Sequence, residues 1–182
     1  FALKKLVTRS GRGHQLHSGA LKAAGSILVF LHVDTRLRPS ALSNIADILT
    51  RNSAAAFDLY IRTRNYYTRS VAVIATIRSR MTRIPYGDQV HCLRSDLYHQ
   101  LGGYRDIPIM EDVDLMTRLK HRGHKIAYTH TFAVNPDRRW KKEGPVRATL
   151  RDWYLMLAYR SGRSVKNLAR LYRPHIEAKS QK

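Results

Sequence analysis

The sequence predicts an α/β fold in which helices cover both faces of a sheet. Three observations carry this. Ile27-Leu28-Val29-Phe30-Leu31-His32-Val33-Asp34-Thr35 is an almost unbroken apolar run that ends in a polar tip. A parallel strand buried on both faces reads this way. Stripes at helical spacing alternate with such runs: Leu16, Ala20, Leu21 and Ala24, then Val71, Ile74, Ile77 and Met81, then Leu115, Met116 and Leu119. The chain has 182 residues and is 43% hydrophobic, which fits one domain with a real core.

In chain order, residues 3–8 read as a short strand and Ser10-Gly11-Arg12-Gly13 as a turn. A helix follows from His14 to Ala24, and Gly25 ends it. The apolar strand then places Asp34 at its carboxyl end, where open α/β sheets hold ligands. Pro39 suits the first turn of a helix reaching Leu49. Residues 54–61 alternate as a strand, with Phe57, Leu59 and Ile61 on one face. Residues 65–81 are helical, 85–89 form a loop, and 90–93 form a short strand. Ser95 is placed to cap a helix that stops before Gly102-Gly103. Residues 111–121 are helical, with an Asp114–Arg118 pair at i, i+4. Residues 125–131 are the last strand.

The tail has a different character. Val146, Leu150, Trp153 and Leu157 line one face of a helix, and Arg147, Arg151 and Arg160 lie elsewhere on it. Ser164 opens a final helix carrying Leu168 and Leu171. Two readings stand for this region: helices packed on their own domain with a solvated basic face, or a peripheral contact with an anionic membrane. The organisation is therefore a core at 1–144, basic C-terminal helices at 145–174 and a disordered tail at 175–182.

Charge narrows the partners. With 33 Lys and Arg against 13 Asp and Glu, the formal charge is +20, which attracts nucleotide diphosphates, nucleic acid or acidic membrane. A nucleic-acid module rests on that charge alone: no RNA- or DNA-reading motif appears, so no specific nucleic acid is expected. The single cysteine, Cys92, excludes an internal disulfide and fits a cytoplasmic, reducing location, peripheral to the inner face of the membrane if the tail docks there. No apolar run approaches the roughly 18 residues of a membrane span.

Acid is scarce, so its clustering is informative. Asp34 ends the apolar strand, and Ile107-Pro108-Ile109-Met110-Glu111-Asp112-Val113-Asp114-Leu115 puts three carboxylates at a helix start. Taken singly they are a turn residue and first-turn acids offsetting the helix dipole. The loop Ser10-Gly11-Arg12-Gly13 opens a helix and can cradle phosphate on free amides, although its glycine spacing fits no dinucleotide fingerprint.

These segments together resemble family 2 glycosyltransferases of the GT-A fold, the nucleotide-diphospho-sugar transferases. Phe30-Leu31-His32-Val33-Asp34-Thr35 is similar to their metal-binding strand end. Gly102-Gly103-Tyr104, then Met110-Glu111-Asp112-Val113-Asp114-Leu115 with Arg118-Leu119, resembles their acceptor-side segment. Arg138-Arg139-Trp140 is similar to their arginine-tryptophan motif. With Tyr86-Gly87-Asp88-Gln89, the set looks like the arsenosugar-biosynthesis or rSAM/selenodomain-associated branch.

The resemblance implies a three-layer α/β/α sandwich lacking the family's first strands, since it begins near the family's third strand. It implies metal-assisted, inverting transfer of a sugar from a nucleotide-diphospho-sugar donor to an acceptor hydroxyl. Asp34 would hold Mg²⁺ or Mn²⁺, with His32 where many members have an acid. Arg12, Gln15, Asp34, Arg138 and Arg139 would bind the donor. Asp112 would be the base, with Glu111 orienting it or substituting for it. Asp88 and Trp140 would lie on the acceptor side. A catalytically impaired fragment is the alternative within the same family.

Overall fold

A computed structural model describes residues 4–172. Helices and strands alternate as far as β3, after which helices also follow one another: α1 (Arg12–Lys22), β1 (Ile27–Phe30), α2 (Ala41–Arg51), β2 (Ala54–Arg62), α3 (Tyr66–Thr82), β3 (His91–Arg94), α4 (Ser95–Gln100), α5 (Glu111–His121), β4 (Ile126–Pro136), α6 (Arg138–Glu143), α7 (Pro145–Arg160) and α8 (Val165–Tyr172). A single 3-10 turn, Gly87–Gln89, precedes β3.

The four strands form one open mixed sheet in the order β1-β3-β2-β4. β3 runs antiparallel to both β1 and β2, and β2 and β4 are parallel. The expectation that β1 is a parallel strand is therefore corrected. Its apolar run does record cover on both faces. Leu28 and Phe30 pack with α1, α4 and α5, and Ile27 and Val29 lean on the cluster built with α2. That cover depends on helices, whereas direction depends on which strand pairs alongside, and the run carries no information about its neighbour.

The two faces follow strand alternation. Ala54 and Ala56 enter the cluster with Val113, Leu115, Met116 and Leu119 of α5. Ala55 and Phe57 face Ile45 and Leu49 of α2. Helices thus lie on both sides of the sheet, in three layers. Beyond a register shift between Ala56 and Asp58, Leu59 and Ile61 part from Phe57 and pack with Ala72 of α3, Trp140 and Ala148 of α7.

Several local expectations are corrected. Residues 4–8 form no strand: Leu6 and Val7 are exposed, with no neighbouring strand to receive them. Ser95 is the first helical residue of α4 and not its cap; Asp96 sits in that turn, accepting from the Leu97 amide at 2.8 Å. β4 runs five residues past Thr131, and α6 follows it. The helical stripe of α3 points outward at Ile74, Ile77 and Met81, because the small residues Ala72 and Ser79 make the close approach to the sheet. The C-terminal helices are packed on the body. Met156 of α7 joins the α5 cluster, and Leu155 joins Leu168 of α8 beside Ile109. The tail at 175–182 lies outside the described residues.

Candidate active site

A cleft of about 850 Å³ opens beside the sheet, and all nine candidate residues line it: Arg12, Gln15, Asp34, Asp88, Glu111, Asp112, Arg138, Arg139 and Trp140. They come from five separate stretches of the chain. What brings these stretches together is backbone geometry. The loop after β1 returns beside β4, where Arg36 and Val134 exchange backbone hydrogen bonds of 2.9 and 3.0 Å. Thr35 Oγ1 donates to Asn135 Oδ1 at 2.6 Å, and Asn135 Nδ2 donates to the Asp88 carbonyl at 2.9 Å. One buried asparagine thereby ties the Asp34 loop to the loop carrying Asp88.

The inner wall is acidic and crowded. Asp112 Oδ2 accepts from the Gly87 amide at 2.8 Å and from Arg12 Nη2 at 3.1 Å. Arg12 Nε donates to Glu111 Oε1, so one guanidinium spans both acids. The Glu111 side chain is only 3% exposed and that of Asp112 12%, which makes the Arg12 charge their main compensation. Gly87 leaves little room for a side chain: a Cβ would lie 3.0 Å from His32 Nε2 and 3.3 Å from Asp112 Oδ2. Gly13 is constrained far more, since its Cβ would meet the Arg105 carbonyl at 2.2 Å and Glu111 Cβ at 3.2 Å and hold α1 away from α5. Met110, immediately before Glu111, and Val90, just after the 3-10 turn, both take positive φ, of 64° and 57°. Such strain persists only where surrounding structure over-determines it.

Environment pushes these carboxyls apart. Burial acts to raise Asp112, but Arg12, His91 and the Gly87 amide outweigh it and hold the group below its usual range. Burial, together with the Asp112 charge, raises Glu111 against the pull of Arg12. Burial pushes Asp88 up to about 6, opposed by Arg139 and reinforced by Asp112. The Asp88 carboxyl has no hydrogen-bond partner among the described residues. His32 lines the same cleft, and burial and Arg12 lower it, leaving a neutral imidazole near neutral pH.

His91 lies beneath this wall, fully buried. Its Nε2 must donate to the Pro85 carbonyl at 3.1 Å, since that oxygen only accepts. Its Nδ1 therefore accepts from Tyr104 Oη at 2.8 Å. Burial drives His91 down to about 4.

The outer wall is a rim. Arg138 Nη2 donates to Asp34 Oδ2 at 2.9 Å, with side chains 75% and 39% exposed. The two arginines of Arg138-Arg139-Trp140 part company. Arg139 turns inward to Asp152 at 2.5 Å and to Glu143 at 3.6 Å. Its guanidinium also lies 5.1 Å from the Trp140 ring. Trp140 itself is 9% exposed and belongs to the cluster with Leu59 and Ile61, so only part of it reaches the cleft. Asp152 and Tyr172 also line the cleft and were not singled out by sequence reasoning. No local signal marks them, because long-range folding brings them there.

Among the described residues no three His, Cys, Asp or Glu side chains gather as a metal-holding group. Asp34 offers one carboxylate at the rim. Magnesium bound through substrate phosphates needs only one or two protein carboxylates, so this donor suits that shared mode and not an all-protein cage. The fold and cleft define an α/β protein with a buried arginine–carboxylate wall and an exposed arginine–aspartate rim. No family model matches the chain, and no curated protein matches it.

Proposed function

We propose that the cleft transfers a glycosyl group from a nucleotide-diphospho-sugar to an acceptor hydroxyl. The observation that carries this reading is the convergence of nine residues, nominated from five stretches, on one cleft that holds both carboxylates and arginines. The leaving diphosphate gains negative charge as the bond to the anomeric carbon breaks, and Arg138 is the exposed cation nearest to that task. A divalent metal, Mg²⁺ or Mn²⁺, would add Lewis-acid charge there, held by Asp34 and by phosphate oxygens. Gln15 and the amino end of α1 line the donor side. The acceptor hydroxyl must lose a proton as it attacks, and a cleft carboxylate takes it. Asp112 is the proposed base, held ionised and oriented by Gly87 and Arg12, with Glu111 sharing the same guanidinium.

A second reading of the base is favoured by a specific observation. Asp112 already accepts three hydrogen bonds, including one from the Val113 amide. Asp88 accepts none at its carboxyl and sits near 6, closer to an operating pH. The pH dependence of turnover separates the two. A flat profile from pH 5 to 8 with turnover kept in Asp88→Asn supports Asp112, and an acid limb near 6 with turnover lost in Asp88→Asn supports Asp88.

The function itself is tested by thermal shift with Mn²⁺ and millimolar uridine diphosphate, since a ligand that binds only the native state raises the melting temperature. The wild type should show a metal-dependent rise that Asp34→Asn abolishes. Asp112→Asn should keep the rise and lose transfer from a nucleotide-sugar panel. A rise of equal size in wild type and Asp34→Asn would remove Asp34 from the donor site. No rise in either would leave a catalytically impaired cleft.

A further inference from the structure

Eleven of the twenty large apolar side chains exposed by the described residues sit on two helices, α3 and α7. The two are neighbours, joined through Ala72 of α3 and Ala148 of α7 in one cluster. α3 turns Thr68, Ala72 and Ser79 inward, and α7 turns Ala148, Leu155, Met156 and Ala158 inward. At about 100° per residue, the opposite side of α3 carries Val73, Ile74, Ile77 and Met81, which are 57%, 44%, 52% and 79% exposed. The opposite side of α7 carries Val146, Leu150, Trp153 and Leu157, at 64%, 61%, 46% and 67%. The apolar stripe legible in the sequence of α7 therefore faces away from its own domain. Adjacent outward stripes of this kind are uncommon on a soluble surface that meets only water.

The charge around the stripes has one sign. α3 contains no acid, and the acids of α6 and α7 are withdrawn. Glu143 and Asp152 have side chains 8% and 17% exposed and are held by Arg139 and Arg151. Asp58, beneath α3, is claimed by Arg80 at 2.9 Å. Arg147 and Arg160 of α7 and Lys141 and Lys142 of α6 remain exposed. Tyrosines stand beside arginines at the margin: Arg69 lies 5.8 Å from the Tyr66 ring, and Arg163 donates to Tyr154 Oη at 2.6 Å. Apolar stripes that include a Trp, marginal Tyr, and cations without exposed anions are what an anionic lipid surface selects from a protein lying flat upon it. No helix among the described residues is long and apolar enough to cross a membrane, so the contact is with the interface alone.

We propose that the α3–α7 face docks on an anionic bilayer surface. A second copy of the chain would bring cation-rich margins together without acids to receive them, so charge complementarity favours lipid headgroups. This docking is independent of the chemistry in the cleft.

The test uses the full chain with vesicles of phosphatidylcholine alone or containing phosphatidylglycerol. Partitioning should be at least about tenfold stronger on the anionic vesicles and should weaken as salt rises. The paired change Ile77→Glu with Leu150→Glu should lower it by about tenfold or more, while circular dichroism stays native, since both positions are exposed. Bromine-labelled acyl chains should quench Trp153 emission, and Trp153→Phe should remove that quenching. Binding that the paired variant leaves unchanged would overturn the proposal, because net charge elsewhere would then explain it. A dimer in light scattering that the same variant dissolves would also overturn it and assign the face to a second copy.

Discussion

The inner and outer walls of the cleft both pair arginine with aspartate, yet they are built for different work. On the inner wall Arg12 serves two acids whose side chains are 3% and 12% exposed. On the rim Arg138 meets one acid, and both partners stay largely in water. A buried charge deprived of its partner cannot be rescued by solvent, whereas an exposed one can. The difference teaches that the inner wall is fixed in place by its own energetics, while the rim is free to exchange its internal pairing for a ligand.

The largest effect should come from Arg12→Ala. It strands two buried carboxylates and should cost about 3 kcal/mol in urea unfolding, a figure at the low end for breaking a buried pair because Arg12 itself is half exposed. A loss below about 1 kcal/mol would mean that solvent reaches the inner wall and the contrast fails.

The next effect is a pH slope. His91, held near 4 against an ordinary 6.5, stays neutral in the fold while the unfolded chain takes up a proton. Its contribution is whole above pH 6.5 and is lost as pH falls toward 4, on the order of 3 kcal/mol. Asp88, raised to about 6, has the opposite sign: the fold takes up a proton first, so stability grows as pH falls from 6 toward 3.8. The two oppose each other in wild type. Asp88→Asn should therefore steepen the acid loss between pH 6 and 4, measured by denaturant midpoints across pH. An unchanged slope would show that Asp88 titrates as in water.

Asn135→Ala should cost about 1–2 kcal/mol, since it removes the acceptor for Thr35 and the donor to the Asp88 carbonyl. It should also loosen the Asp34 loop, seen as faster amide exchange at residues 35 and 36 and slower exchange change elsewhere. The smallest effect should come from Arg138→Ala, within about 0.5 kcal/mol of wild type. Its signature should be weaker binding of uridine diphosphate in the same thermal-shift assay. A large stability loss at Arg138 would erase the distinction between the walls.

The layered α/β fold was legible because apolar runs and helical stripes report burial. Strand direction was not, as β1 shows: Ile27 to Phe30 encode cover on two faces but not the antiparallel partner. α6 went unseen because Arg138–Glu143 is six residues with no apolar period. The stripe on α7 was legible as a stripe. Which side of the helix met the body was decided by Ala148, Leu155, Met156 and Ala158, a second stripe in which the two alanines weigh lightly in a periodicity count. In the candidate site the residues were readable one at a time. Their partnerships were not: Arg12 meets Glu111 across 99 positions, and Arg139 leaves Arg138 for Asp152 although the two are adjacent in sequence.

Cys92 is the only cysteine of the chain, and it sits on β3 between β1 and β2 with none of its surface exposed. Burial pushes its thiol up to about 12. A thiolate-seeking reagent therefore finds nothing to attack until the sheet itself separates. The rate at which such a reagent labels the native protein becomes a clock for opening of the central strands, read by mass spectrometry without any engineered probe.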